Sequence, residues 1–141
     1  LENSMKRNEK ITHIMTTEPA SVHVKQKLSE VQLAMAEGGF HHMPVVSGDL
    51  LVGLISTSDL LRVSYQYGQD PRQTSAVLDH TVKIEDLMVR DPVTLKSVQT
   101  VRDAVDVLAD GRFHSLPVVE DGKLVGMVTT TDVLRYMRAQ Y

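Results

Sequence analysis

GLISTSDLLR at residues 53–62 and GMVTTTDVLR at residues 126–135 are two versions of one construction. In each, an apolar run passes through glycine into Ser56-x-x-Asp59 or Thr129-x-x-Asp132, and an amphipathic stretch follows. A hydroxyl residue with an acidic residue three places on is what a helix start needs. The hydroxyl accepts a hydrogen bond from a free backbone N–H, and the carboxylate sits well at the positive end of the helix dipole. The pattern predicts a strand-to-helix junction at both places, with helices beginning around Ser58 and Thr131.

Working outward, a shift of 73 positions aligns residues 11–62 with 84–135 without a gap, and 18 of the 52 aligned positions are identical. Chance would give roughly one match in fifteen to twenty, so the chain is a duplication. Ile11 meets Ile84, Met15 meets Met88, Pro19 meets Pro92, and Pro44-Val45-Val46 meets Pro117-Val118-Val119. Each copy opens with a lead that ends in proline and a brief extended piece. Helical spacing follows in Leu28, Val31 and Met35, and in Val101, Ala104, Val105 and Leu108. Thr100-x-x-Asp103 is a capping box; Lys27 stands in its place in the first copy, which lacks one. Gly38 and Gly111 mark helix ends, and Gly48-Asp49 and Asp121-Gly122 are hairpin turns.

The reading is α/β, with each repeat β-α-β-β-α. One such unit is too small to bury a generous core, so two repeats related by a pseudo-twofold axis are expected to join their sheets. Residues 1–10 are an N-terminal extension, in which Leu1–Ser4 read as cloning residues before a native start at Met5; a cut from a longer protein is the other reading. The first repeat is 11–67, the Gly- and Pro-containing connection 68–83, and the second repeat 84–139.

Composition narrows the function classes. Hydrophobic residues are 42% and charged residues 23%, as in ordinary globular domains, and aromatics are only 4%, so aliphatic packing must build the core. The net charge of -3 gives no general nucleic-acid surface. No apolar stretch approaches the roughly 18 residues of a membrane-spanning helix, and no secretory signal opens the chain. There is no cysteine, which excludes disulfides, zinc-thiolate sites and cysteine nucleophiles. A cytoplasmic setting fits.

Capping accounts for both Ser/Thr-x-x-Asp strings, and a ligand is a second use that the same atoms allow. A helix start offers unpaired N–H groups and partial positive charge, which suit phosphate. An aspartate there can accept two hydrogen bonds from a vicinal diol, the ribose contact of acidic residues in other nucleotide sites. Hydroxyls at Ser56, Ser58, Thr129 and Thr131 could hold ribose or phosphate oxygens.

The ordered set Met-x-x-x-Pro, h-Pro-Val-Val and Gly-h-h-(Ser/Thr)-x-x-Asp, where h is apolar, occurs twice and resembles the CBS domain; two in tandem resemble a CBS pair, or Bateman module. The resemblance covers residues 11–139. It implies binding of an adenosine-containing nucleotide of the AMP, ADP or ATP class in clefts between the repeats, and a homodimer. It assigns Asp59 and Asp132 to the ribose hydroxyls, and Ser56 and Thr129 to ribose or phosphate. It places the adenine wall around Met15, Thr16 and Met43 in one copy and around Met88, Val89 and Leu116 in the other. A pocket of this family often takes its adenine wall from one repeat and its ribose aspartate from the other.

His41, His42 and His114 precede the Pro-Val pairs, where the resemblance implies phosphate contact; a protonated imidazole suits that task. Their alternative role is to complement the C-terminal end of the preceding helix. Ser115 stands where the first copy has His42, so the two sites are expected to differ in affinity. Adjacent histidines on a strand face opposite ways, and His13, His23 and His80 lack ligand spacing, so no metal site is expected. Met15 and Met88 can equally be core fillers, and Arg62 and Arg135 fit a solvated helix face. No phosphate loop, dinucleotide fingerprint or nucleophile elbow is present. The expectation is a regulatory module, not an enzyme, with no required cofactor, no nucleic-acid partner and no membrane. The alternative is an interaction or dimerisation module whose clefts stay empty.

Overall fold

The computed structural model describes residues 8–67 and 79–141. Residues 1–7 of the expected extension and 68–78 of the expected connection lie outside the described residues. In chain order the elements are a short 3-10 turn (Ile11–His13), β1 (Thr16–Thr17), β2 (Val22–His23), α1 (Leu28–Gly38), β3 (His42–Ser47), β4 (Leu50–Ser56) and α2 (Thr57–Tyr67). Then come α3 (Ile84–Leu87), β5 (Val89–Arg90), β6 (Leu95–Lys96), α4 (Val101–Leu108), β7 (Ser115–Glu120), β8 (Lys123–Thr129) and α5 (Thr130–Gln140). The fold is mixed α/β, and each repeat adds a helical turn and a second short strand to the expected element order.

Two compact units divide the chain: Ala20–Pro92, and Leu1–Pro19 together with Val93–Tyr141. They are not the two sequence repeats. Each repeat gives up its lead, so 84–92 completes the body of the first repeat and 11–19 completes the body of the second.

Within Ala20–Pro92, β2 runs parallel to β3 with Val22 opposite Val45. Parallel neighbours need a crossover, and α1 supplies it. The β3–β4 hairpin is antiparallel, pairing His42 with Ser56 and Val45 with Gly53. The lead strand β5 then adds to β4, Gly53 opposite Arg90 and Leu54 opposite Val89. The other unit repeats this plan: β6 parallel to β7, β7 antiparallel to β8, and the lead strand β1 on β8 with Thr16 opposite Met127 and Thr17 opposite Gly126.

Each unit has its own aliphatic core. Leu28, Val31 and Met35 of α1 and Leu60 and Val63 of α2 pack on Val22, Met43, Val45 and Ile55, joined by Ile84 and Leu87 from the lead. The second core holds Leu95, Val101, Ala104, Leu108, Leu116, Val118, Val128 and Val133, joined by Ile11. Ile11 is 0% exposed and Ile84 1% exposed, so each lead inserts one fully buried side chain. Such a side chain contributes about 1.5–3 kcal/mol. Val105 departs from the expected stripe and is exposed; next to Ala104 it falls about 100° away around the helix.

The helix ends refine the sequence reading. The left-handed residue after α1 is Gly39 at φ 65°, not Gly38, and the Phe40 N–H closes the helix onto the Met35 carbonyl at 3.0 Å. Gly38 has another purpose: the Phe40 ring lies against it where no β-carbon would fit. At the hairpins, Gly48 takes positive φ in the first, and both Asp121 and Gly122 take it in the second, as a type I′ turn requires. The capping boxes Thr100–Asp103 and Thr129–Asp132 both form. In the first copy Glu30 accepts the Lys27 N–H at 3.2 Å, but the missing acceptor is made good from 50 residues away. Asp79, inside the expected connection, accepts the Ser29 N–H at 2.9 Å and the Ser29 hydroxyl at 2.7 Å.

Both leads are seated by sulfur. The Met88 thioether lies over Gly53, and the Met15 thioether over Gly126, each at the strand position beside the lead. A β-carbon at either glycine would run into the methionine. Gly53→Ala, where the Val89 carbonyl oxygen also lies 3.1 Å from the β-carbon position, is therefore expected to destabilise the protein by about 1–3 kcal/mol, the usual cost of overpacking, read as a lower urea midpoint at unchanged slope.

Candidate functional site

The strand-to-helix junctions bring most of the expected site residues to one corner of each unit. In Ala20–Pro92 the His41 carbonyl accepts the Thr57 N–H at 2.9 Å, so the start of β3 and the start of α2 are tied together. The His114 carbonyl does the same for Thr130 at 3.0 Å. The helices thus begin at Thr57 and Thr130, one residue earlier than expected, and Ser58 and Thr131 fall in their first turns with exposed side chains. His41 and His114 are exposed and His42 is half-buried.

At each corner the carboxylate serves the backbone with one oxygen. Asp59 Oδ2 accepts the Ser56 N–H and the Ser56 hydroxyl, both at 2.9 Å, while the Asp59 N–H donates back to Ser56 Oγ at 3.2 Å. Asp132 Oδ2 accepts the Thr129 N–H at 2.9 Å, and its own N–H donates to Thr129 Oγ1 at 3.1 Å. The second oxygen turns to an arginine one helical turn on. Arg62 Nη2 donates to Asp59 Oδ1 at 3.3 Å, and Arg135 Nη1 stands 3.9 Å from Asp132 Oδ1. The aspartate side chains are 16% and 15% exposed against 68% and 67% for the arginine side chains. Such pairs are worth no more than about 1 kcal/mol, so the arginines are displaceable partners. Sequence reasoning left both as solvated residues; their i+3 spacing from the aspartates was the available signal.

The leads reach the same strands. Val89 pairs with Leu54, two residues before Ser56, and Thr16 pairs with Met127, two residues before Thr129. Two strand residues span roughly 7 Å, so each lead pairs with its strand about that far before the cap residue that the carboxylate holds. Met88 and Val89 therefore share a unit with Asp59, and Met15 and Thr16 share one with Asp132. Met15 and Met88 are half-buried, and Thr16 and Val89 are exposed. Met43 and Leu116 are the expected wall residues just before each Pro-Val pair. They are 1% and 0% exposed and lie inside the two cores, so only their backbone is left to face a ligand. Among the described residues, no group of three histidine, aspartate or glutamate side chains converges as a metal site would. No described helix is long and apolar enough to cross a membrane.

The CBS domain family model matches residues 11–65 and again 84–139. The chain belongs to this family. It is a tandem CBS pair. It is 29% identical over 139 residues to protein MJ1225 of Methanocaldococcus jannaschii, spanning 96% of this chain and 50% of that protein. It is 30% identical to the chloroplastic CBS domain-containing protein CBSX1 of Arabidopsis thaliana, over 84% of this chain and 60% of the relative. The inosine-5'-monophosphate dehydrogenase of Korarchaeum cryptofilum matches at 27% identity over only 22% of its length. The chain thus spans half or so, or much less, of these relatives. Among solved structures, CBSX2 of Arabidopsis thaliana in complex with AMP superposes with a TM-score of 0.78 at 25% identity, covering 93% of this chain and 97% of that one. MJ1225 superposes with a TM-score of 0.79 at 26% identity, covering 94% of this chain and 49% of that one.

In this CBS pair the aspartates already act as caps whatever else they do. Asp59→Ala and Asp132→Ala are each expected to cost about 1 kcal/mol without ligand, in the usual range of lost caps, measured by chemical denaturation.

Proposed function

We propose that the protein is a regulatory module that binds an adenosine-containing nucleotide of the AMP, ADP or ATP class, with two repeats, 11–67 and 84–139, contributing the contacts. The observation that carries this reading is the carboxylate held by its own cap two strand residues from a lead. One oxygen is fixed by backbone hydrogen bonds, so the other is aimed before any ligand arrives. A ribose diol can take the place of the exposed guanidinium on that oxygen. The AMP complex of CBSX2, a protein of nearly the same length and fold, supports the same ligand class.

In this reading Asp59 and Asp132 hold ribose. Hydroxyls at Ser56, Ser58, Thr129 and Thr131 serve ribose and phosphate, and His41, His42 and His114 meet phosphate. Met88 with Val89, and Met15 with Thr16, form the apolar wall for adenine, completed by the backbone at Met43 and Leu116. No bond is made or broken, and no cofactor is needed. Regulation follows if the ligand binds one arrangement of the chain more tightly than another; without that difference it shifts nothing.

AMP at 100 times its dissociation constant is expected to add about 2.7 kcal/mol of stability, read as a thermal shift and absent with the ribose-less control adenine. A charge-assisted hydrogen bond is worth about 1.5–3 kcal/mol, so Asp59→Asn or Asp132→Asn should weaken AMP binding by calorimetry. If both variants titrate like the parent, the ribose assignment fails.

A second reading, assembly with another copy of this chain, is favoured by one surface. Leu61 is 72% exposed and Phe40 41%, and both line an apolar groove of about 440 Å³ between α1 and α2; Tyr65, 92% exposed, lies one turn beyond Leu61. Leu61→Glu is expected to convert a dimer to a monomer in sedimentation.

A further inference from the structure

The two leads are fastened differently. In the unit containing 93–141, the segment before the first lead is joined to the start of α4 by main chain. The Ile11 N–H donates to the Gln99 carbonyl at 2.9 Å, the Val101 N–H donates to the Glu9 carbonyl at 2.8 Å, and Lys10 and Thr100 form a β-bridge. The aligned residues of the other unit are 82–84 and 26–28. Among the described residues no main-chain bond joins these two segments. A hollow of about 210 Å³ opens at that place instead, lined by residues of both segments, among them Lys27, Leu28, Val82 and Ile84.

Two carboxylates close the hollow. Asp79 grips Ser29 through its N–H and hydroxyl, and Glu85 Oε1 takes Lys25 Nζ at 3.3 Å. The first contact holds a charge against the unpaired N–H groups of a helix start; the second is an exposed ion pair. Ile84 and Leu87 anchor the lead beyond them in the core. Main-chain ladders resist salt and single substitutions, whereas the Asp79 clasp is lost with one side chain and the exposed Lys25–Glu85 pair weakens with salt.

We propose that residues 79–83 form a releasable strap, fastened by Asp79 and backed by the Glu85–Lys25 pair, and that the lead it runs into is the adjustable one of the pair. The aligned segment 9–14 is fixed by backbone hydrogen bonds and does not release. Met88 and Val89 lie five residues beyond the strap, past the buried Ile84 and Leu87, so its release loosens the wall proposed above for adenine without freeing it. That last link rests on the nucleotide-binding reading; the unequal fastening does not.

The test is hydrogen exchange followed by mass spectrometry on the full chain, first without nucleotide. Peptides covering 82–87 should exchange at least roughly tenfold faster than those covering 9–14. About 0.5 M NaCl, which shortens the screening length to a few ångströms, should speed the first group and leave the second. Asp79→Ala should do the same in low salt, with Asp79→Asn intermediate because its amide oxygen still accepts the Ser29 N–H. Equal exchange in the two segments, or a strap indifferent to both salt and Asp79→Ala, overturns the proposal. AMP is then added. Slower exchange at 82–87 supports the link to the ligand, and AMP that binds without slowing it overturns that link. A chain that binds no AMP defeats the nucleotide reading and leaves the strap standing on the first measurements.

Discussion

Met88 lies on Gly53 and Met15 lies on Gly126, and these two seats hold each lead against the body of the opposite repeat. Without them β5 and β1, each two residues long, would have little to keep them on β4 and β8. Strands that short contribute few ladder hydrogen bonds; the sulfur contact and the buried Ile84 or Ile11 fix their place. A repeat is therefore not self-sufficient. Each core is finished by a side chain that belongs, in sequence, to the other copy, which is how two small repeats share the burden of building a core.

The same exchange assembles the candidate site. The strand that runs into the Asp59 helix carries the lead with Met88 and Val89, and the strand that runs into the Asp132 helix carries the lead with Met15 and Thr16. The cap adds orientation. A free carboxylate rotates, whereas Asp59 and Asp132 each have one oxygen committed to a backbone N–H three residues back. Pre-aligned acceptors lose less freedom when a ligand arrives. In the proposed reading one side chain both stabilises the helix and meets the ribose, and the two roles do not compete for the same oxygen.

The junctions, the hairpins and the duplication were legible in the sequence because their signals are local. Ser56-x-x-Asp59, Asp121-Gly122 and the spacing of Leu28, Val31 and Met35 each act within a few residues. The lead exchange was not legible from spacing: residues 51–53 and 124–126 are both Leu-Val-Gly, so either lead meets the same strand chemistry on either body. Asp79 escaped for a different reason. Its partner is 50 residues away, and the local rule at Lys27 reported only a deficit. Gly38 and Gly39 show the limit of resolution, since adjacent glycines leave open which one turns left-handed and which one admits the Phe40 ring.

Both hairpins also slip by one residue at the same point. Val45 faces Gly53 but Val46 faces Leu51, which leaves Val52 as an extra residue; Val118 faces Gly126 but Val119 faces Leu124, which leaves Val125. Such bulges break the alternation of a ladder and bend the strand that carries the extra residue. The fingertip of each hairpin, around Gly48 and Gly122, is thereby mechanically decoupled from its palm, where the strand start meets the helix start. Turns of other lengths could be grafted onto the fingertips while the palms kept their register, so the hairpin ends are free to diversify independently of whatever the palms hold.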